Sequence, residues 1–416
     1  MFFLYQITLT LLLIFFPIII LIRILKYKED NKRFIEKFSI PTKKRSSGKL
    51  IWFHGASVGE ILSIIPLIKH YEKKKSVNQI LVTSSTLSSS NIFKKFKLKK
   101  TIHQFYPIDH IFFVNRFLEY WRPNAAIFIE SEIWPYMFKK IEEKNIPLIL
   151  LNARLTKKTF NRWMKIKIFS TLIFNKISIA YPQNLETRKY LKKLNVKKVN
   201  LLGNIKFSEN YVENQNEINR KLNLALNNKK VWTASSTHRD EEIFCIKAHL
   251  ELKKKVKNLL TIIIPRHIHR VKEIIPEIKK FNLKFKLHSH TSQSLENIDI
   301  YIVDTFGETR KFHKRSSSVF LGGSIIKRGG QNPLEAARFG AKILHGPNTD
   351  NFRDVYKLLK KLNISKKINT PKQLASSIIF IKKKQIGIKI KKIGERILKK
   401  TIKELDNLTN NEYKKT

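Results

Sequence analysis

The sequence holds a single cysteine, Cys245, in 416 residues, which excludes an intramolecular disulfide framework and any Cys-rich zinc or iron–sulfur site. Glycine and proline number only 13 each and methionine 3, so collagen-like and Gly/Pro-rich low-complexity architectures are excluded too. Acid is scarce: 32 Asp and Glu stand against 82 Lys and Arg, for a formal net charge of +50. Neither G-x-G-x-x-G nor G-x-x-x-x-G-K-[ST] occurs, which counts against a dinucleotide oxidoreductase and a P-loop NTPase. No histidine cluster and no D-x-D pair is present, so no metal site is expected. RNP-like aromatic motifs, zinc fingers and basic heptads are missing as well, and nucleic acid is not an expected partner.

Hydrophobic residues make up 42% and aromatics 11%, enough for a sizeable core. The length suits two to three domains at about 100–200 residues each. The charge has two readings: compositional drift toward Lys, Ile and Asn, or attraction to an anionic surface or phosphorylated substrate. The N-terminus favours a membrane. Residues 1–22 carry no charged side chain, and LTLLLIFFPIIILI (9–22) is almost wholly apolar. At about 1.5 Å per residue, that run can cross a hydrocarbon core of about 30 Å. Arg23, Lys26, Lys28, Lys32, Arg33 and Lys37 follow at once, so the positive-inside rule puts everything after residue 22 in the cytoplasm. A cleaved signal peptide would carry a basic first segment and a small-residue cleavage site; with neither present, an uncleaved transmembrane helix is expected.

From Lys49 on, short apolar runs alternate with amphipathic stretches. The expected strands are 50–57, 79–85, 125–131, 147–153, 177–183 and 199–204, then, after a charged stretch, 231–236, 259–265, 285–289, 298–304, 318–324 and 342–347. Continuous apolar runs separated by helical segments are the pattern of buried parallel strands. Two such series predict an α/β chain of two Rossmann-like, doubly wound domains facing a cleft. Polar clusters follow the strands: HGASVGE, TSSTLSSS and ESEIWP in the first half, and ASSTH, PRH, DTFGE, GGS and GPNT in the second. Each alone reads as a loop, but together they mark the carboxyl ends where ligands of such sheets bind. Glu60, opening a helix after the first strand, reads either as a partner of the helix N-terminus or as a cleft carboxylate suited to general-base work. Glu130 and Glu132 would face the same way from an extended segment and need a cation nearby. Arg266 and His267 end a strand where a phosphate would sit, and Glu335 opens a helix after a glycine-rich loop.

Taken together, HGASVGE (54–60), ESEIWP (130–135), LLNARLT (150–156), GNIKFS (203–208), ASSTHRDEE (234–242), IIPRH (263–267), DTFGE (304–308), FLGGS (320–324) and GGQNPLEAARFG (329–340) resemble the 3-deoxy-D-manno-octulosonic acid (Kdo) transferases of Gram-negative bacteria. The resemblance runs from the apolar N-terminus to about Phe352. It implies the GT-B fold and an enzyme that transfers Kdo from CMP-Kdo to a lipid A disaccharide precursor, at the cytoplasmic face of the inner membrane. No cofactor and no divalent metal are implied, since CMP leaves with a single phosphate. Glu60 would be the base, with Glu130 and Lys206 stabilising the transition state. CMP would be held by Pro265 and Arg266, by Phe306, Gly307 and Glu308, and by Asn332, Pro333, Leu334 and Glu335. The division expected is an anchor at 1–25, a basic linker at 26–48, an acceptor domain at 49–207, a connection at 208–229 and a CMP-sugar domain at 230–416. TSSTLSSS, Gln331 and Thr309 depart from the family pattern beside these positions, not on them. The competing readings are another membrane-associated GT-B transferase, a nucleotide-sugar epimerase, and a lipid-binding relative without catalysis.

Overall fold

Leu50–His54 and Leu259–Pro265 are buried at every position, as strands covered on both faces must be. The structure is a computed structural model that describes residues 1–208, 217–290 and 294–410. The chain divides into two compact units, Met1–Asn210 with Gly394–Thr416, and Tyr211–Ile393.

The first unit carries β1 (Leu50–His54), β2 (Gln79–Ser84), β3 (Thr101–Phe105), β4 (Ala125–Ile129), β5 (Leu148–Ala153) and β6 (Ile179–Pro182). All its pairings are parallel, in the order β3-β2-β1-β4-β5-β6. The strand order reverses between β1 and β4, and that switch point is where an open parallel sheet offers a crevice. One core lies around Trp52, Trp121, Phe128 and Phe174, and another around Phe53, Ile64, Tyr71 and Tyr181. Side chains of this size each contribute about 1.5–3 kcal/mol on full burial.

The second unit carries β7 (Lys230–Thr237), β8 (Leu259–Pro265), β9 (Phe285–Leu287), β10 (Ile300–Ile302), β11 (Ser318–Leu321), β12 (Lys342–His345) and β13 (Ser365–Lys367). Its order is β13-β12-β11-β7-β8-β10-β9, again all parallel, with the switch point between β7 and β11. Both units are therefore Rossmann-like.

The sequence pattern anticipates eleven of these strands and misses β3 and β13. The core of β3 is Ile-His-Gln beside a lysine-rich stretch, and β13 is an edge of three residues, Ser-Lys-Lys, with no apolar signal. The run 199–204 is not a strand: only Val199 makes a bridge, to Ala180, before Gly203 turns away at φ +107°. Residues 26–48 are more than a linker. The 3-10 turn Arg33–Phe38 places Glu36 in the interior, where it accepts from Phe105 N at 2.7 Å and from Arg33 Nε at 2.8 Å. Of the expected connection at 208–229, residues 209–216 lie outside the described residues, and Arg220–Asn227 is a helix. The long helix Lys384–Asn410 also departs from the expected division. Its later part belongs to the first unit, where Leu405 is fully buried in the second of the two cores. Phe2–Leu25 is a helix long and apolar enough to cross a membrane.

Candidate active site

Glu60 is fixed by the turn between β1 and the helix Val58–Glu72. Ser57 is the N-cap, its hydroxyl accepting from Glu60 N at 3.4 Å. In return, the Glu60 carboxylate accepts from Ala56 N at 2.8 Å (Oε2) and from the Ser57 hydroxyl at 2.8 Å (Oε1). This is a variant of the capping box, with the N–H of Ala56 in place of that of the N-cap Ser57, and it holds the carboxylate at the β1 side of the switch point. Position at a helix N-terminus lowers a carboxyl's pKa, yet here burial, followed by the charges of Glu130 and Glu132, pushes Glu60 up to about 7.

Across the switch point, β4 ends at Ile129 and Glu130 takes up φ +60°, a left-handed conformation that non-glycine residues rarely adopt. The segment is thus a turn, not the extended strand end expected, and the two glutamates have separate partners. Glu130 is buried and forms an ion pair with Lys206. Lys206 sits on the 3-10 turn Ile205–Ser208, which Asn152 ties to Glu130: Asn152 Oδ1 accepts from Ile205 N at 3.0 Å, and its Nδ2 donates to Glu130 Oε1 at 3.4 Å. Glu132 Oε2 accepts from Trp134 Nε1 at 3.0 Å and lies 3.1 Å from His54 Nε2. Trp52 Nε1 donates to Thr83 Oγ1 at 2.9 Å, leaving that hydroxyl's proton for His54 Nδ1 at 2.9 Å. His54 Nε2–H then donates to Glu132. Burial holds the His54 imidazole below its usual range against the pull of Glu132, so it is a neutral donor. The structure thus brings together Glu60, Glu130 and Lys206. It adds His54 and Asn152, whose signals were a histidine inside HGASVGE and an asparagine inside LLNARLT.

In the second unit the predicted residues lie on loops at the carboxyl ends of the strands. Pro265 ends β8, and Arg266 is exposed, its N–H bonded to Thr237 O at 2.9 Å. Phe306 is 79% exposed, and Gly307 has φ +88° with open space around it. Glu308 pairs with Lys311 at 2.9 Å. Asn332 Oδ1 accepts from Leu334 N at 3.1 Å, and Pro333 precedes the helix Leu334–Arg338. The Leu334 side chain is buried in the interior and has nothing to offer a ligand. Glu335 Oε1 accepts from His313 Nδ1 at 2.8 Å, and His313 Nε2 lies 2.9 Å from Ser235 Oγ. Burial opposes ionisation of Glu335, but the bond from His313 and the nearby Arg310 and Arg338 outweigh it and hold the carboxyl below its usual range.

The frame of these loops is Glu241, which sequence reading passed over. Its buried carboxylate accepts four backbone N–H groups: His238 at 3.0 Å, Gly323 at 2.7 Å, Ser324 at 3.0 Å and Ile325 at 2.9 Å. It therefore staples the loop after β11 to the loop after β7 across the switch point. His238 Nε2 and Thr305 Oγ1 are buried without a hydrogen-bond partner among the described residues. Such atoms are costly unless a ligand or water satisfies them. Among the described residues, no group of three or more His, Cys, Asp or Glu side chains is arranged to hold a metal ion.

Two solved structures share the fold. HepE of Anabaena in complex with UDP superposes with a TM-score of 0.54 at 11% identity, covering 86% of this chain and 100% of that one. A protein assigned as a UDP-N-acetylglucosamine 2-epimerase of Listeria monocytogenes gives 0.55 at 12% identity, covering 85% and 91%. The fold is GT-B, with two parallel-sheet Rossmann-like domains.

Residues 32–209 match the family model described as 3-Deoxy-D-manno-octulosonic-acid transferase (kdotransferase). The 3-deoxy-D-manno-octulosonic acid transferase of Rickettsia bellii (strain RML369-C) is 36% identical over 390 residues, 94% of this chain and 93% of the relative. That of Haemophilus influenzae (strain ATCC 51907 / DSM 11121 / KW20 / Rd) is 31% identical over 326 residues, 77% and 76% of the two chains. The chain belongs to the 3-deoxy-D-manno-octulosonic acid transferase family, and it is a glycosyltransferase of Kdo.

Proposed function

We propose that this enzyme transfers Kdo from CMP-Kdo to a hydroxyl of a lipid A disaccharide precursor, with inversion and without a metal, on the cytoplasmic side of a bacterial inner membrane. The observation that carries the reading is Glu60: a carboxylate locked by its capping bonds, with burial and two neighbouring carboxylates making it a base near neutrality. The acceptor hydroxyl attacks the anomeric carbon and gives its proton to Glu60 as the C–O bond to the CMP phosphate breaks. General-base help of this kind is worth about 10²–10⁴-fold in rate. Glu130 keeps Glu60 basic and holds Lys206, whose ammonium offers positive charge as the transition state develops. The departing phosphate is met by Arg266, with the unpaired His238 Nε2 and Thr305 Oγ1 as further partners. Glu335, Asn332 and the 306–308 loop hold the rest of the nucleotide.

Purified protein, CMP-Kdo and the tetra-acylated precursor test this directly by mass spectrometry of the lipid. Glu60→Gln preserves the capping geometry and should cut transfer at least 100-fold with CMP affinity unchanged. Arg266→Ala should weaken CMP binding in calorimetry through loss of a charge-assisted contact. Wild-type rates in Glu60→Gln would assign the base elsewhere. Activity that vanishes with EDTA and returns with a divalent ion would overturn the metal-free mechanism.

A further inference from the structure

Trp134 has no part in the steps above, and Glu132 enters them only through its charge. Both belong to the turn that follows β4. Glu132 N donates to Ile129 O at 3.4 Å, and Pro135 then opens the next helix, Pro135–Glu143, with Trp134 as its cap. The indole is thereby set against Tyr106, with ring centroids 4.8 Å apart at 36°. Tyr106 lies in turn on the His54 imidazole at 3.9 Å and 30°. His54 and Tyr106 are buried while Trp134 is only partly so, which makes the indole the ring of this stack with open surface.

The carboxylate beside it is half engaged. His54 Nε2 and Trp134 Nε1 both meet Glu132 Oε2, and among the described residues no hydrogen bond reaches Oε1. Both donors are neutral, and no lysine or arginine pairs with Glu132 among the described residues. A largely buried anion without a cation calls for a further donor, and with 17% of the side chain exposed that donor can come from a ligand. The buried bonds from Trp52 to Thr83 and from Thr83 to His54 fix the imidazole, and through it the direction of the carboxylate. An open aromatic surface next to an oxygen that still accepts fits a sugar, which offers an apolar C–H face and a rim of hydroxyl donors. The sugar in question is the acceptor's, because the Glu132 charge is felt at Glu60, the group that takes the acceptor's proton.

We propose that Glu132 and Trp134 form a subsite for the acceptor sugar, the indole carrying the apolar face of the ring and Glu132 Oε1 accepting from one of its hydroxyls. The inference rests on the transfer reading above and names residues that orient its acceptor. Its test is initial rates of the full chain in detergent at about pH 8, where Glu60 is ionised, with the tetra-acylated precursor and CMP-Kdo varied in turn. Trp134→Ala should raise the acceptor KM about tenfold, and Trp134→Phe, which keeps a ring, should raise it less. Glu132→Gln should also raise it about tenfold through loss of a charge-assisted bond. In that variant the low-pH limb of the rate should move below about 7, since a like charge beside Glu60 is gone. The CMP-Kdo KM should stay at the wild-type value throughout. Should Trp134→Ala fail to fold, Trp134→Phe and Glu132→Gln decide the matter. An unchanged acceptor KM, a loss confined to kcat, or an equal rise in the CMP-Kdo KM overturns the subsite while the transfer reading stands. No lipid product from the unaltered protein overturns the transfer reading, and the subsite with it.

Discussion

At Glu60 the bonds from Ser57 and Ala56 favour the carboxylate, while burial and then the charges of Glu130 and Glu132 disfavour it by more, setting the group at about 7. Proton acceptance needs the ionised form, so the rate of transfer should fall as pH drops below about 7. The same shift has a stability consequence of opposite sense. Because the folded pKa lies above the ordinary 4.5, folding is favoured with Glu60 protonated; that contribution is complete below about 4.5 and is lost as pH rises through about 7. Glu60→Gln cannot titrate, so its melting temperature should gain on the wild type between those values and hold the gain above them, while transfer is lost. Melts at about pH 5 and about pH 8 check the sign. Asn152→Asp keeps an acceptor for Ile205 N but replaces the donor to Glu130 with a fourth carboxylate beside Glu60, Glu130 and Glu132. The low-pH limb of its rate profile should move above about 7, since like charge raises a carboxyl's pKa further.

The turn Arg33–Phe38 flanks β3, and its worth rests on Glu36. That carboxylate is fully buried and satisfied by Arg33 and by Phe105 N, while Arg33 Nη2 donates to His103 O at 2.8 Å. Glu36→Ala would leave the buried Phe105 N–H without an acceptor and remove the carboxylate partner of the half-buried Arg33, at a cost of about 1–3 kcal/mol. Truncation near Lys43, within the expected linker at 26–48, removes the apolar segment but deletes Glu36 as well. A chain beginning at Lys28 should therefore melt well above one beginning at Lys43, as scanning calorimetry would show. The C-terminal helix carries a related dependence: Gly394 lies against Phe207 O, next to Lys206, and a side chain there cannot be accommodated without moving that turn.

For the whole molecule, the formal charge of +50 acts over distance instead of at the reacting atoms. Lys and Arg near an anionic surface contribute about 1 kcal/mol each, and a Debye length of about 10 Å at 0.1 M salt screens them. Vesicle affinity should fall steeply as salt is raised, whereas the affinity of detergent-dispersed protein for CMP, which depends on local contacts, should change far less. Parallel salt titrations by flotation and calorimetry separate the two. Equal slopes would mean that the charge serves the nucleotide and not the surface.

Most of the sheets could be read from the chain because a strand buried on both faces must be largely apolar, as Leu50–His54 and Leu259–Pro265 are but for His54 and Thr261. The placement of HGASVGE, ESE and PRH after such runs, and with it the nomination of Glu60, Glu130 and Arg266, followed from the same pattern. β3 and β13 escaped because edge strands need no continuous apolar run. Partnership was likewise invisible: nothing in the spacing of residues 130, 152 and 206 says that one asparagine joins a glutamate to the turn bearing a lysine. Nor could the sequence weigh a helix N-terminus against burial and two carboxylates, since both opposing terms depend on what surrounds Glu60 once the chain has folded. The apolar segment shows the same division. Its composition determined that it avoids water, but only the contacts of Phe2 with Phe169 and of Tyr5 with Asp109 decided which face meets protein, because those partners lie far along the chain.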